Sequence, residues 1–214
     1  MPLPDGLSFV DGALIACGFG TAYEGIRRIG VNGDDDLLVV GLGPVGLAAA
    51  MTGRGVARGG SSAWRSRPSA AHGRTDWTSS TRRSARKRRP TPWRRSPAGG
   101  ASTAIDCSGT RPGRSTAIGH IAEWGRISLV GEGGTLETEV SDALLHKQVT
   151  LYASWVTSVP VMAELARNLV RWGVRPERIV SDRFDLAGRT RRSGSPRALP
   201  GARSCSNPVW TAER

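Results

Sequence analysis

The chain has 214 residues, 38% of them hydrophobic, and a formal net charge of +12, so its length allows one substantial domain. Three scattered cysteines exclude a disulfide framework, and because no membrane-length apolar run or signal-peptide pattern is present we expect a cytoplasmic protein. The positive charge is concentrated in residues 52–103 and 189–214, and the remainder carries a formal charge of −5.

Residues 34–51, which read DDDLLVVGLGPVGLAAAM, predict a strand, a glycine turn and a helix in succession. The apolar run 37–40 is typical of a strand buried on both faces of a parallel sheet. Gly41, Gly43 and Gly46 follow with the spacing G-x-G-x-x-G, before an alanine-rich stretch that favours a helix. In that context the glycines give a tight turn, room for a pyrophosphate and close packing of helix on strand. The pattern predicts a dinucleotide site, with a merely structural turn as the alternative.

The second half of the chain alternates predicted strands and helices. Small residues end a short strand in 103–110, and an amphipathic helix precedes the apolar strand 127–130. Residues 147–155 are rich in β-branched and aromatic residues, as strands are, and residues 159–174 present one apolar helical face that ends at Gly173. This order predicts the α/β class, with an incomplete doubly wound parallel sheet that is Rossmann-like and binds ligands at the carboxyl ends of its strands.

Residues 14–46, LIACGFGTAYEGIRRIGVNGDDDLLVVGLGPVG, resemble the medium-chain, zinc-type alcohol dehydrogenases, a family that includes sorbitol and threonine dehydrogenases. The later blocks AIDCSG, GRISLVG and VTLYASW are similar to that family's strands in the same order, so the resemblance covers residues 3–51 and 104–188. It implies a Rossmann domain that binds NAD or NADP, in an enzyme that transfers hydride between an alcohol or carbonyl substrate and nicotinamide. Dimerisation through the late strands is common in the family, and we leave a homo-oligomer open for this chain.

The resemblance also implies which residues bind the cofactor. Those of the glycine turn and the helix start match the family's fingerprint, namely Gly41, Gly43, Pro44, Val45 and Gly46. Residues at the ends of two later strands are further candidates, namely Cys107, Ser108 and Val130. Tyr23 and Glu24 leave two alternatives, which are the positioning of a ribose or a zinc-bound water and plain helix packing.

Cys17, in the block ACGFGTAY, matches a cysteine that many family members use as one ligand of the catalytic zinc. Such a zinc polarises the alcohol oxygen and needs three protein ligands. The family's other ligands lie in an N-terminal domain that we do not find in this sequence, so we do not expect the chain to hold the metal by itself. Core packing of the Cys17 thiol is the alternative.

Two basic segments interrupt this pattern. Residues 52–103 contain thirteen Lys and Arg residues and one acid, and residues 189–214 contain six Arg residues and one acid. The Rossmann pattern requires an acidic residue for the ribose about twenty residues after the glycines, but residues 60–68 read GSSAWRSRP. The alternatives are a basic nucleic-acid-binding protein that uses residues 82–95, a disordered tract and a misread codon frame. We do not expect a nucleic-acid partner.

A shifted reading frame is the alternative that we favour. When the third base of each codon is joined to the first two bases of the next, residues 57–65 permit ARRLVGVE, a strand ending in the missing acid. The same shift permits VVFEPG over residues 203–209, which is similar to the family's closing strand. We therefore predict four segments: the start of the dinucleotide-binding domain (1–51), an out-of-frame or disordered basic segment (52–103), the remainder of the domain (104–188) and a basic, out-of-frame tail (189–214). We expect no dehydrogenase activity from this chain alone, and a non-catalytic cofactor-binding domain is a further alternative.

Overall fold

The computed structural model describes residues 1–59 and 99–181, which form one parallel sheet with helices on both faces. The strands are β1 (Leu37–Val40), β2 (Ala101–Asp106), β3 (Ile121–Leu129) and β4 (Thr150–Ala153). The α-helices are α1 (Phe9–Leu14), α2 (Gly20–Arg28), α3 (Pro44–Gly59), α4 (Arg111–Gly119) and α5 (Val159–Trp172). Short π-helical turns cover Ile15–Phe19 and Ser141–Leu145, and a 3-10 turn covers Pro176–Ile179.

The four described strands run parallel, in the spatial order β1-β2-β3-β4. Leu37 is paired with Thr103 and Val40 with Asp106, so β1 and β2 end at the same level. A register shift between Ala101 and Thr103 is the one irregularity in the pairing of β2 with β3. The predicted α/β class and its Rossmann-like parallel sheet are confirmed.

Alternate residues of β1 belong to two separate cores, one on each face of the sheet. Leu37 and Val39 pack with α2, α3 and α5, whereas Leu38 and Val40 pack with α4. The helix that follows β1 and the helix that follows β2 therefore lie on opposite faces. In a doubly wound sheet such a reversal opens a crevice at the carboxyl ends of the two strands, which is where ligands bind.

Helix α3 is longer than the sequence analysis predicted. The basic segment was predicted to cover residues 52–103. Helix α3 nevertheless continues to Gly59, and β2 already begins at Ala101. Buried Thr52 and Ala57 hold the last turns of α3 on the core, in spite of the glycines nearby. Gly55 is one of these glycines, and a Cβ atom there would lie 2.4 Å from the Trp172 ring, so its small size permits α3 and α5 to pack closely.

A capping box at α1 ties the first helix to the last described turn. The Ser8 hydroxyl accepts from the Asp11 amide at 3.1 Å, and the Asp11 carboxylate accepts from the Ser8 amide at 2.9 Å. Asp11 is fully buried, and its other oxygen accepts from the Glu177 amide at 2.8 Å. Arg175 lies 3.2 Å from the same carboxylate as its counterion.

Several predictions fall beyond the described part of the chain. Outside the described residues lie the basic stretch 82–95, the missing acid near 60–68 and the tail 189–214. The four-segment division therefore stays a prediction. Within 1–59 and 99–181, no helix combines the length and the apolar character needed to cross a membrane. The helical stop at Gly173, in contrast, is confirmed, because this residue has φ +64° and follows Trp172 directly.

Candidate functional site

The glycine turn lies between β1 and α3. Gly41 has φ +86°, a conformation that side chains rarely adopt, and it starts the turn directly after the strand. A Cβ atom on Gly46 would lie 1.8 Å from the Gly41 carbonyl oxygen, so only glycine lets α3 approach the strand this closely. A Cβ atom on Gly43, in contrast, would meet no atom of the described residues within 4 Å. The turn is therefore packed tightly at two glycines and open at the third.

Helix α3 begins at Pro44, directly after Gly43. The Leu47 amide donates to the Gly43 carbonyl oxygen at 2.9 Å, which closes the first helical turn. The preceding amides of Val45 and Gly46 belong to the first turn of an α-helix, where amides have no intrahelical acceptor. Together with the helix dipole they form a site that favours an anion such as a phosphate.

The loop after β2 forms the other wall of the crevice. The Cys107 amide donates to the Val40 carbonyl oxygen at 2.8 Å, and a Cβ atom on Gly41 would lie 2.7 Å from the Ser108 nitrogen. Cys107 is half-buried, and burial, with the nearby Asp106 charge as a smaller cause, strongly raises the pKa of its thiol. The thiol is therefore protonated at neutral pH, which suits contact with a ligand rather than nucleophilic attack.

A cleft of about 640 Å³ lies at the carboxyl ends of β3 and β4, on the same edge of the sheet as the glycine turn. Val130, which is almost fully buried, and Gly131 contribute its wall after β3, and Ser154 and Thr157 contribute its wall after β4. The hydroxyl oxygens of Ser154 and Thr157 are buried and have no hydrogen-bond partner among the described residues. A mostly apolar cleft with a few convergent polar groups is the usual form of a cofactor pocket.

Cys17, the candidate zinc ligand, lies in the π-helical turn Ile15–Phe19, and its side chain is exposed. The alternative that the Cys17 thiol packs in the core is therefore wrong. Nowhere in 1–59 and 99–181 do three His, Cys, Asp or Glu side chains come together closely enough to hold a metal ion. A catalytic zinc needs three protein ligands, and the described residues offer one candidate, so they do not fit a zinc centre.

Tyr23 is part of the packing between α2 and α5. Its hydroxyl donates to the Glu164 carboxylate at 2.5 Å and accepts from the Asn168 amide at 3.0 Å, and its ring meets Trp172 edge-on. Burial, and then the bond to Glu164, raises the pKa of Tyr23 to about 12. The helix-packing alternative is thus the right one for Tyr23. Glu24, one residue on, lines the cleft.

The predicted cofactor residues Gly41, Gly43, Gly46, Ser108 and Val130 lie at the carboxyl edge of the sheet, and their role stays a prediction. Part of the cleft was not predicted from the sequence. Ser154, Thr157 and Arg114 line it and were not predicted. The first two could have been found, because Ser154 lies at the carboxyl end of the predicted strand 147–155 and Thr157 follows that strand. The carboxyl ends of strands carry the ligand contacts in such sheets. Arg114 gave no local signal, because its position depends on how α4 packs.

No family model matches the chain. The chain is 40% identical over 217 aligned residues to the uncharacterized zinc-type alcohol dehydrogenase-like protein YphC of Escherichia coli K12, an alignment that covers 97% of this chain and 58% of that protein.

Solved structures share the fold at low identity. Alcohol dehydrogenase TADH from Thermus sp. ATN1 matches with a TM-score of 0.65 and 18% identity, over 89% of this chain and 56% of that one. A putative zinc-binding dehydrogenase from Sinorhizobium meliloti 1021, bound to NADP, matches with a TM-score of 0.62 and 18% identity, over 93% and 59%. L-idonate 5-dehydrogenase from Escherichia coli matches with a TM-score of 0.61 and 14% identity, over 89% and 54%.

The fold and the crevice therefore define a Rossmann-like domain, a fold that the chain shares with solved alcohol dehydrogenase structures. More particularly, the chain is a homologue of a zinc-type alcohol dehydrogenase-like protein and spans a little more than half of that protein's length. The resemblance identified in residues 14–46 is thereby confirmed.

Proposed function

We propose that this chain binds NAD or NADP as the cofactor portion of a zinc-type alcohol dehydrogenase-like oxidoreductase. The observation that carries the proposal is the geometry of the glycine turn, which is packed tightly at Gly41 and Gly46 and open at Gly43. This open space lies at the start of α3, where β1 and β2 end and the sheet reverses its winding. A pyrophosphate is the group that such a space and such a helix start suit.

In this proposal each wall of the crevice has one task. The amides of Val45 and Gly46 bind the pyrophosphate, and Cys107 and Ser108 contact the ribose beside it. The nicotinamide lies in the cleft, with one face of its ring against the buried side chain of Val130. When bound, the cofactor supplies the hydride acceptor or donor, and the chain's own residues orient it. The substrate in this proposal is a small alcohol or carbonyl compound.

The described residues do not complete a catalytic centre. Because they present no three-ligand metal site, no step of the reaction is assigned to zinc in this chain. We expect the chain by itself to bind cofactor weakly and to show no dehydrogenase turnover. A cytoplasmic location and a homo-oligomer are part of the same proposal. The location rests on the composition of the chain, and the homo-oligomer rests on the resemblance.

We also propose that the two basic segments arise from a shifted reading frame. The support is the concentration of charge in residues 52–103 and 189–214, and the shifted readings of residues 57–65 and 203–209. Resequencing of the coding DNA tests this, because an intact frame that is closely matched in independent isolates would remove the proposal. A shifted frame is also a reason to expect weak binding, since the acid for the adenosine ribose would then be missing.

A titration with NADH and NADPH tests the cofactor proposal. Ligand-observed NMR on the full chain measures dissociation constants into the millimolar range, where we expect at least one of the two to bind. The variant Gly43→Ala places a methyl group in the open space, where it contacts none of the residues in 1–59 and 99–181. Binding should therefore weaken at least about tenfold while the fold is unchanged. Equal affinity of the variant and the parent chain, or no binding by the parent chain, would contradict the proposal.

A further inference from the structure

The end of β2 carries a buried carboxylate that the proposed cofactor contacts do not use. Asp106 is fully buried, and its Oδ1 accepts from the Ser108 amide at 3.0 Å and from the Ser108 hydroxyl at 2.5 Å. Its Oδ2 lies 3.5 Å from Nε of Arg114 and makes no hydrogen bond among the described residues. The carboxylate therefore has a loop on one side and a single counterion on the other.

Arg114, on α4, connects this carboxylate to a second loop. Its side chain is only 12% exposed, and its Nη2 donates to the Gly131 carbonyl oxygen at 3.0 Å. One guanidinium group thus holds the loop after β2 through Asp106 and the loop after β3 through Gly131. A planar group with five donors suits this double contact, whereas the point charge of a lysine does not.

The two loops also meet backbone against backbone. The Gly131 amide donates to the Asp106 carbonyl oxygen at 2.8 Å, and a Cβ atom on Gly131 would lie 2.1 Å from the Gly109 nitrogen. On its other side the first loop touches the glycine turn, through Ser108 and Gly41. The Arg114 guanidinium therefore contacts the loops after β2 and β3, and the first of these loops contacts the glycine turn.

We propose that Arg114 and Asp106 are a positioning pair, which holds the loop after β3 at the correct distance from the glycine turn for a whole dinucleotide. The inference rests on the proposed cofactor function and adds residues that neither the sequence pattern nor the glycine turn identifies. A buried ion pair adds little to stability compared with an apolar pair, so its value here is the fixed geometry of the cleft wall.

The pair acts on one half of the ligand. In a Rossmann sheet the acid for the adenosine ribose comes from the strand that follows the first helix, and no described strand lies on that side of β1. The cleft at β3 and β4 is then the nicotinamide side. Arg114 lines that cleft, so its loss should disturb the binding of the nicotinamide half and leave that of the pyrophosphate almost unchanged.

The test compares two ligands on matched variants of the full chain. NADH spans both halves of the site, whereas ADP contains only the adenosine and the pyrophosphate. Arg111→Met is the control for Arg114→Met, because it removes the same charge from the same helix at a surface ion pair with Glu137. We expect Arg114→Met to weaken NADH binding at least tenfold and ADP binding less than twofold, and Arg111→Met to change neither by more than twofold.

A second variant covers the case in which Arg114→Met does not fold. The double variant Asp106→Asn, Arg114→Met removes both charges and keeps an acceptor for Ser108, and it should show the same selective loss. Equal weakening of NADH and ADP, or NADH binding as in Arg111→Met, would overturn the positioning role while leaving the cofactor proposal intact. If the parent chain binds neither ligand, the cofactor proposal itself fails, and this inference fails with it.

Discussion

The contact between Gly46 and Gly41 allows a quantitative prediction about stability. A Cβ atom on Gly46 would lie 1.8 Å from the Gly41 carbonyl oxygen and 2.8 Å from its carbonyl carbon, whereas real Cβ contacts stay beyond 3.0 Å. Both contacted atoms are backbone, so no side-chain rotation relieves the overlap. The variant Gly46→Ala therefore forces α3 away from the strand by about 1.2 Å.

The magnitude follows from two opposing effects. Overpacking of a rigid contact costs about 3 kcal/mol, at the upper end of the usual range, because the backbone of the turn must move. Replacing a helical glycine by alanine recovers up to about 1 kcal/mol of helix propensity. We therefore expect Gly46→Ala to lower the free energy of unfolding by about 2 kcal/mol.

Urea unfolding followed by far-UV circular dichroism measures this difference. Gly43→Ala is the matched control, because its Cβ atom meets nothing within 4 Å in the described part of the chain and its φ is not positive. Its free energy of unfolding should therefore stay within about 0.5 kcal/mol of that of the parent chain. If the two variants have equal stability, the close packing of α3 on the strand is not what constrains Gly46, and the reasoning is refuted.

Three further predictions concern the packing that supports the site. Tyr23→Phe should lower the free energy of unfolding by about 1 kcal/mol at pH 7. Because the Tyr23 pKa of about 12 exceeds the ordinary value of 10.0, this difference should shrink as the pH rises from 10 to 12. Urea titrations at several pH values measure it, and a constant difference would mean that the hydroxyl is not buried. Asp11→Ala should lower the free energy of unfolding by about 3 kcal/mol and Arg175→Ala by less than about 1 kcal/mol. The reason is that the Asp11 carboxylate is fully buried, whereas the Arg175 side chain is 45% exposed. Similar shifts in the thermal unfolding midpoints of the two variants would contradict this. Leu169 is fully buried, so Leu169→Ala should lower the free energy of unfolding by about 2–5 kcal/mol. Val159 on the same helix is exposed, and Val159→Ala should lower it by less than about 0.5 kcal/mol. Chemical unfolding measures both values, and equal values would mean that α5 does not cover the core.

Where sequence and structure differ, the difference comes from long-range packing. From the sequence, the helix after the glycine turn was predicted to end at residue 51, because the basic composition begins at residue 52. Thr52 and Ala57 are nevertheless buried, and the Trp172 ring lies over Gly55, so contacts with the core carry the helix on to Gly59. The composition of a segment counts the residues on the solvent-facing side of a helix together with those on its buried side. It therefore does not show that one side of the last turns of α3 is buried.

The same limit applies to the cleft. Ser108 contacts Gly41 because residues 40 and 106 are paired across β1 and β2, a register that neither segment contains by itself. Arg114 reaches Gly131 only because α4 packs beside β3. No local pattern marks these positions, since the partners are distant in the chain.

By itself the sequence determined the order of strands and helices and the position of the glycine turn. Those features depend on local physics: the period of apolar residues, the positive φ that Gly41 tolerates and the alanines that favour α3. Only the tertiary structure decided that Cys17 is exposed, that Tyr23 packs between helices and that Asp106 and Arg114 connect two loops. These outcomes depend on which surfaces meet when the sheet and helices pack, and that is set by the whole fold rather than by any short stretch of it.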